Sequence, residues 1–149
     1  MEKKIAKKIS KWEKNGTKFN TLTLSGNSYG YEACEFIAQE LIPRLGSSDN
    51  FSKVFFNDMF VSRDNSEIPQ ALKILIEAIG QFPITHLNLS QNALGKQCIF
   101  SFEDYLKTSS TLISLDVTNC GISAEVTEQI ANALLENGNT KLRELKIGK

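Results

Sequence analysis

The sequence predicts an α/β fold, a right-handed solenoid in which units of one strand and one helix stack side by side. Three observations predict it. A short apolar pattern recurs about every thirty residues, a polar residue follows each clear copy, and amphipathic stretches lie between the copies. With 149 residues, 41% of them apolar and 23% charged, the chain can bury one substantial core.

The recurring pattern is leucine, any residue, leucine, two spacers and asparagine. It is clearest at residues 22–27 and 87–92, and it returns at 115–120 with cysteine in the asparagine position. Residues 54–59 and 145–147 are weaker copies. The second apolar positions are separated by 32, 33, 28 and 30 residues, a period that accommodates a strand and a full helix: Leu24, Phe56, Leu89, Val117 and Ile147.

This pattern is that of a leucine-rich repeat. Each strand points alternate apolar side chains inward, and the asparagine amide then binds backbone groups where the chain turns away. Stacked units place the strands in one parallel sheet on the concave face, with the helices on the convex face. We expect a capping helix at residues 1–16 and a leucine-rich-repeat domain of about four and a half repeats at residues 17–149.

A helix is expected after each of the first four strands, because the apolar period changes there from two to about 3.6 residues. The expected buried stripes are Ala33, Phe36, Ile37 and Leu41; Ala71, Leu72, Leu75 and Ile79; Phe102, Tyr105 and Leu106; and Val126, Ile130, Ala133 and Leu134. Pro43 is expected to end the first helix, whereas Pro69 suits the first turn of the second. Ser123 and Gly138 are expected to cap the last helix.

The two ends of the chain carry separate predictions. Ile5, Ile9 and Trp12 form an apolar stripe on a segment with six lysines. We expect that segment to cap the first repeat; the alternative is a basic amphipathic helix for a membrane or an acidic partner. The strand at residues 145–147 is expected to present an open edge, which favours edge-strand self-association.

Composition argues against several classes of function. Seventeen basic residues balance seventeen acidic ones, so neither nucleic acid nor a membrane is expected as a partner. Three cysteines fit neither a disulfide framework nor a zinc site, and they indicate a reducing compartment. His86 is the one histidine. We therefore expect no catalytic residues, no metal and no cofactor, and a soluble intracellular protein.

One segment of the second repeat is more particular than the repeat pattern requires. Residues 56–72 read FNDMFVSRDNSEIPQAL, with Asp58 and Arg63 ahead of Glu-Ile-Pro. This segment resembles the second-repeat signature of the Ran GTPase-activating proteins. The neighbouring repeats resemble that family in register, so the resemblance extends from about residue 22 to residue 149.

The resemblance implies a regulator that binds a Ran-type small GTPase, has no active site of its own, and stimulates GTP hydrolysis by orienting the catalytic glutamine of the GTPase. Arg63 would anchor the GTPase and Asp58 would hold Arg63 in place, while Asn119 would lie near the switch region and the nucleotide. Together with outward positions on the strands, the implied contact set is Arg63, Asn119, Asp58, Asn92, His86 and Asp116. A cytoplasmic location follows, with the nuclear envelope as a second site.

Two alternatives accompany this interpretation. Asp64, Asn65 and Ser66 stand where members of the family commonly place a further basic residue, and Gln91 stands where an aspartate is common. The chain could therefore be a leucine-rich-repeat interaction module, or a truncated relative without activating activity. A purely structural interpretation also remains for the two principal residues: Arg63 as a solvated or ion-paired charge, and Asn119 as a turn residue.

Overall fold

The sheet contains five parallel strands in sequence order within the described part of the chain. The computed structural model describes residues 7, 8, 10–12, 14–46, 49–138 and 141–148. The strands are β1 (Thr21–Thr23), β2 (Lys53–Phe55), β3 (His86–Asn88), β4 (Ser114–Thr118) and β5 (Glu144–Gly148). The order is β1-β2-β3-β4-β5, with each strand paired to the next. The predicted leucine-rich-repeat solenoid is confirmed.

The register of the sheet follows from its apolar positions. Leu22, Val54, Leu87, Leu115 and Leu145 stand side by side across the five strands. The first four are buried. Because a shift of one residue would turn every one of these side chains to the opposite face, burial of this row fixes how the repeats align.

Helical segments connect successive strands and cover the other side of the sheet. They are α1 (Tyr31–Phe36), a π turn (Ile37–Leu41), α2 (Ile42–Gly46), α3 (Ile68–Ile79), a 3-10 segment (Lys96–Ser101), α4 (Glu103–Thr108) and α5 (Ala124–Asn137). The expected caps of α5 are confirmed. The Ser123 hydroxyl accepts a hydrogen bond from the Val126 N–H at 3.4 Å, and Gly138 has a left-handed conformation.

Two details predicted for the first repeat are wrong. The helix does not end at Pro43, because the backbone widens into the π turn just before it and then continues as α2. In that turn the Ile42 N–H bonds the Ile37 carbonyl, five residues back. The buried stripe also differs: Ala33 is exposed, and Cys34 takes the core position.

The repeat asparagine performs the backbone role that the pattern predicts. The Asn92 amide group donates to the carbonyls of Phe56 and Leu89, both at 2.8 Å, and its oxygen accepts from the Met59 N–H at 2.9 Å. Cys120, in the same position one repeat later, donates its thiol to the Leu89 carbonyl at 3.1 Å. Asn92 is 3% exposed. Its predicted role as a partner contact is therefore wrong, since the side chain lies in the core and is used in the turn.

The N-terminal segment is described only in part. Ile5 and Ile9 lie outside the described residues. Trp12 packs edge-on against Phe19, with ring centroids 5.3 Å apart, and lines a space of about 210 Å³ beside Leu22. These contacts place Trp12 against the first repeat, the position that a capping segment requires.

Candidate partner-binding rim

The turns that follow the strands form one continuous edge of the solenoid. We call this edge the rim, comprising residues 25–30, 57–67, 90–95 and 118–123. Four equivalent rim positions have positive φ angles, of 70°, 52°, 61° and 53°: Gly26, Asp58, Gln91 and Asn119. Each of their N–H groups bonds a carbonyl of the next repeat, at 3.0, 3.1, 2.9 and 2.6 Å respectively.

A positive φ is uncommon for residues other than glycine, and asparagine and aspartate tolerate it best. The turn therefore explains why a short polar residue suits positions 58 and 119. It also directs both side chains to the rim, where Asn119 is exposed and Asp58 is half-buried. The structural and the functional interpretation of these two residues are compatible, because the turn that favours them also exposes their side chains on the rim.

The Asn119 amide is held by its neighbour along the rim. Its Nδ2 donates to the Gln91 Oε1 at 2.7 Å. Gln91 stands where the resembled family commonly has an aspartate, and here it orients the amide of Asn119. The Oδ1 atom of Asn119 has no hydrogen-bond partner among the described residues, so this oxygen can accept a hydrogen bond from a partner.

Arg63 lies over the first repeat. Its Nε donates to the Ser28 hydroxyl at 2.9 Å, and its Nη2 donates to the Ser28 carbonyl at 3.1 Å. Its Nη1 is 4.0 Å from the Glu67 Oε2, and about a third of the side chain, 36%, is exposed. The guanidinium is therefore fixed on one side, and its remaining N–H groups are available to a partner.

The predicted partner of Arg63 is wrong. Asp58 makes no ion pair or side-chain hydrogen bond with Arg63, and Ser28 and Glu67 hold the guanidinium instead. Sequence reasoning did not find Ser28, because the contact joins residues 35 apart in the chain. Asp58 remains a candidate contact by its position on the rim.

The concave face carries the other two predicted contacts. His86 and Asp116 are both half-buried and line a shallow cavity of about 120 Å³. The Nδ1 of His86 is 2.8 Å from the Thr85 hydroxyl, and the Asp116 carboxylate accepts from the Thr118 N–H at 2.9 Å. Both side chains face outward from the strands, as strand alternation predicts.

Two serines at the same alternate positions are nevertheless buried. Ser90 and Ser114 are each only 8% exposed. Ser114 donates to the Glu144 carboxylate at 2.6 Å. That bond, followed by the neighbouring Lys146 ammonium at 3.1 Å, lowers the pKa of Glu144 below its ordinary value. The concave face therefore carries fixed charges of both signs at neutral pH.

The described residues contain no group of three or more histidine, cysteine or acidic side chains placed to hold a metal ion. Among the helices of the described residues, none is both long and apolar enough to cross a bilayer. The rim presents hydrogen-bonding side chains of Arg63 and Asn119 along an open edge.

Comparison with known proteins supports the leucine-rich-repeat fold and identifies relatives of the chain. The Leucine Rich repeat family matches residues 108–125. The chain is 31% identical over 121 residues to Ran GTPase-activating protein 1 of Saccharomyces cerevisiae, and 36% identical over 119 residues to the protein of that name from Xenopus laevis. It is 34% identical over 124 residues to the Ran GTPase-activating protein of Drosophila melanogaster. The chain is a leucine-rich-repeat protein related to the Ran GTPase-activating proteins.

The matches cover most of this chain but only a small part of each relative. They cover 80%, 77% and 80% of this chain but only 30%, 20% and 20% of the three relatives. The chain thus spans less than a third of the length of the Ran GTPase-activating proteins that it resembles. Among solved structures, the Leiomodin-1 Actin-Binding Site 2 superposes with a TM-score of 0.64 at 16% identity, covering 93% of this chain and 76% of that one. That likeness concerns the fold alone.

Proposed function

We propose that this chain binds a Ran-type small GTPase along the rim and stimulates its hydrolysis of GTP. The observation that carries the proposal is the placement of Arg63 and Asn119, which the family resemblance singles out, on the same exposed edge of one sheet. The relatives that match four-fifths of the chain are Ran GTPase-activating proteins. The chain would regulate the GTPase without forming an active site of its own.

The spacing of the two residues suits a single docked partner. Neighbouring strands lie about 4.8 Å apart, so the second and fourth repeats are separated by about 10 Å. Arg63 leans from the second repeat towards the first, which lengthens that span. A standard interface of about 800 Å² on each partner covers such a distance easily. Asp58 and the concave residues His86 and Asp116 would lie within the same footprint.

The chemistry available at the rim fits an activator that positions groups of the GTPase. Phosphoryl transfer depends on the placement of the attacking water and on stabilisation of developing charge. The Oδ1 of Asn119 can accept a hydrogen bond from a side-chain amide such as that of the catalytic glutamine. The Arg63 guanidinium, with free N–H groups, can bind a carboxylate or a carbonyl of the partner.

Single-turnover GTP hydrolysis by a Ran-type GTPase tests the proposal. We expect the unmodified chain to accelerate hydrolysis, and Arg63→Ala or Asn119→Ala to lower that acceleration at least tenfold, about 1.4 kcal/mol of transition-state stabilisation. Arg44→Ala is a matched control, because Arg44 is equally exposed at 36% but belongs to α2. The absence of acceleration by the unmodified chain contradicts the proposal.

A second candidate is binding without activation. It is favoured by the extent of the matches, because this sequence corresponds to only 20–30% of the length of its first relatives. The same assay distinguishes the two candidates when it is paired with a direct binding measurement. Saturable binding of the GTPase with an unchanged hydrolysis rate identifies an interaction module.

A further inference from the structure

We propose that Ser28, Gly30 and Glu67 act together as positioning residues that hold Arg63 in a fixed, partner-ready orientation across the junction of the first two repeats. We call this group, with Arg63, the arginine cradle. The cradle is a feature of the folded chain itself. Its effect on a GTPase rests on the function proposed above.

Ser28 forms the base of the cradle. Its hydroxyl accepts from Arg63 Nε while donating to the Val61 carbonyl at 2.6 Å, and its own carbonyl accepts from Nη2. An isolated antiparallel bridge between Ser28 and Phe60 brings the two loops together at this point. One side of the guanidinium is therefore bonded at two atoms, a geometry that fixes the orientation of its plane.

Glu67 forms the wall of the cradle and links it to the first helix. Its Oε1 accepts from the Tyr31 N–H at 2.6 Å, while its Oε2 faces Arg63 Nη1 at 4.0 Å. The carboxylate thus lies opposite the positive charge of Arg63. It also accepts a hydrogen bond from the Tyr31 N–H, a backbone donor at the start of α1. Because Glu67 belongs to the second repeat and Tyr31 to the first, the contact closes the junction.

Gly30 provides the space in which Arg63 lies. A Cβ atom added at position 30 would stand 2.9 Å from Arg63 Nη1 and 3.0 Å from Glu67 Oε1. Gly30 has φ −83° and ψ 174°, an extended conformation that any residue adopts. A side chain at this position would therefore force the ends of Arg63 and Glu67 to move, whereas the backbone itself would accept it.

Gly30→Ala is consequently a selective test, since the backbone accepts alanine while the cradle does not. An arginine that is already ordered loses little side-chain freedom on docking, whereas a released arginine loses more. We expect Gly30→Ala to raise about tenfold the concentration of chain that gives half-maximal stimulation of GTP hydrolysis, with the maximal rate changed less than twofold. Adding Gly30→Ala to Arg63→Ala should produce no further effect.

A second variant removes the base of the cradle without adding bulk. Ser28→Ala eliminates the hydroxyl that accepts from Nε, and we expect it to change the same parameter in the same direction. Ser110→Ala is its matched control, because Ser110 is an exposed serine that lies outside the rim. Glu67→Gln removes the charge that faces Arg63, while its amide oxygen can still accept from the Tyr31 N–H, so we expect a smaller change of this parameter in the same direction.

Nuclear magnetic resonance of the Arg63 Nε–H group tests the cradle without any partner. We expect its hydrogen exchange to be slow in the unmodified chain and in Ser110→Ala, and at least ten times faster in Ser28→Ala and Gly30→Ala. Equal exchange rates in the unmodified chain and both cradle variants overturn the proposal. If exchange follows the expectation while the unmodified chain fails to stimulate the GTPase, the cradle stands and the proposed function falls.

Discussion

Asparagine at equivalent positions of two repeats has different surroundings. Asn92 lies under the stacked turns of its neighbours and makes three buried hydrogen bonds. Asn27 occupies the same position in the first repeat and is exposed, and its amide bonds the Ser25 carbonyl alone among the described residues, at 3.0 Å. The repeat pattern identifies both residues equally well. What separates them is whether another repeat packs against the amide, which is a property of position in the stack.

This difference predicts unequal effects of one substitution. Asn92→Ala leaves the buried Phe56 carbonyl and the Met59 N–H without partners, whereas the Leu89 carbonyl keeps its bond from the Cys120 thiol. We expect the substitution to lower the free energy of unfolding by about 3 kcal/mol, given about 1–3 kcal/mol for each unsatisfied group. Asn27→Ala should cost less than about 0.5 kcal/mol, as an exposed substitution. Urea unfolding measures both values. Equal losses would show that the buried amide bonds do not support the turn.

The arginine segment illustrates how far single residues can be interpreted from the sequence. The resemblance placed Arg63 and Asn119 in turns after the second and fourth strands, and the structure has them there. The supporting residues Ser28 and Gly30 were not predicted, because a hydrogen bond between residues 35 apart has no local signature. The pattern predicts both a backbone role and a partner contact for Asn92, because the sequence does not say which side of a turn is covered.

Among the elements, the helical part of the first repeat differs most from expectation. The stripe predicted through Ala33 is displaced by one residue to Cys34, which together with Ile37 and Ile42 forms the buried side. A one-residue displacement is about 100° of rotation on a helix. The π turn before Pro43 introduces an extra residue into the helix, and periodicity with a fixed period of 3.6 residues cannot anticipate it.

The position of Cys34 in the core has a consequence for stability at alkaline pH. Burial, with a smaller contribution from Glu67, raises the pKa of the Cys34 thiol from 9.0 to about 12. The folded state therefore favours the protonated thiol, and its stabilising effect is complete below pH 9. It is lost as the pH rises towards 12, at up to about 1.4 kcal/mol per pH unit.

Chemical denaturation of Cys34→Ala between pH 8 and pH 12 measures this effect. Alanine does not ionise, so the variant should lose stability less steeply than the unmodified chain above pH 9. The difference in slope should reach about 1 kcal/mol per pH unit. Cys98 and Cys120 remain in the variant with their own raised pKa values, of about 12 and about 11, and both proteins should retain the slope due to them. Parallel stability curves would place the Cys34 thiol in solvent.

At the scale of the whole molecule, the stack of five parallel strands was predictable because the apolar pattern recurs about every thirty residues. Each repeat contributes one apolar row to a core that no single unit could form, and the spacing of those rows identifies the units without knowledge of their contacts. The rim follows from the same arrangement, since parallel strands end at one edge. Loop conformation and the shortness of α4, with six residues, were not encoded in the period.

The central claim is that the rim of this stack is the surface that meets a Ran-type GTPase. Amide nuclear magnetic resonance tests this claim directly. The isotope-labelled chain is titrated with that GTPase, which is loaded with a GTP analogue that resists hydrolysis. We predict shifts at Ser62, Arg63 and Asn119, while the amides of α5 on the convex face stay in place. Shifts confined to α5, with the rim signals unchanged at saturation, would contradict the account.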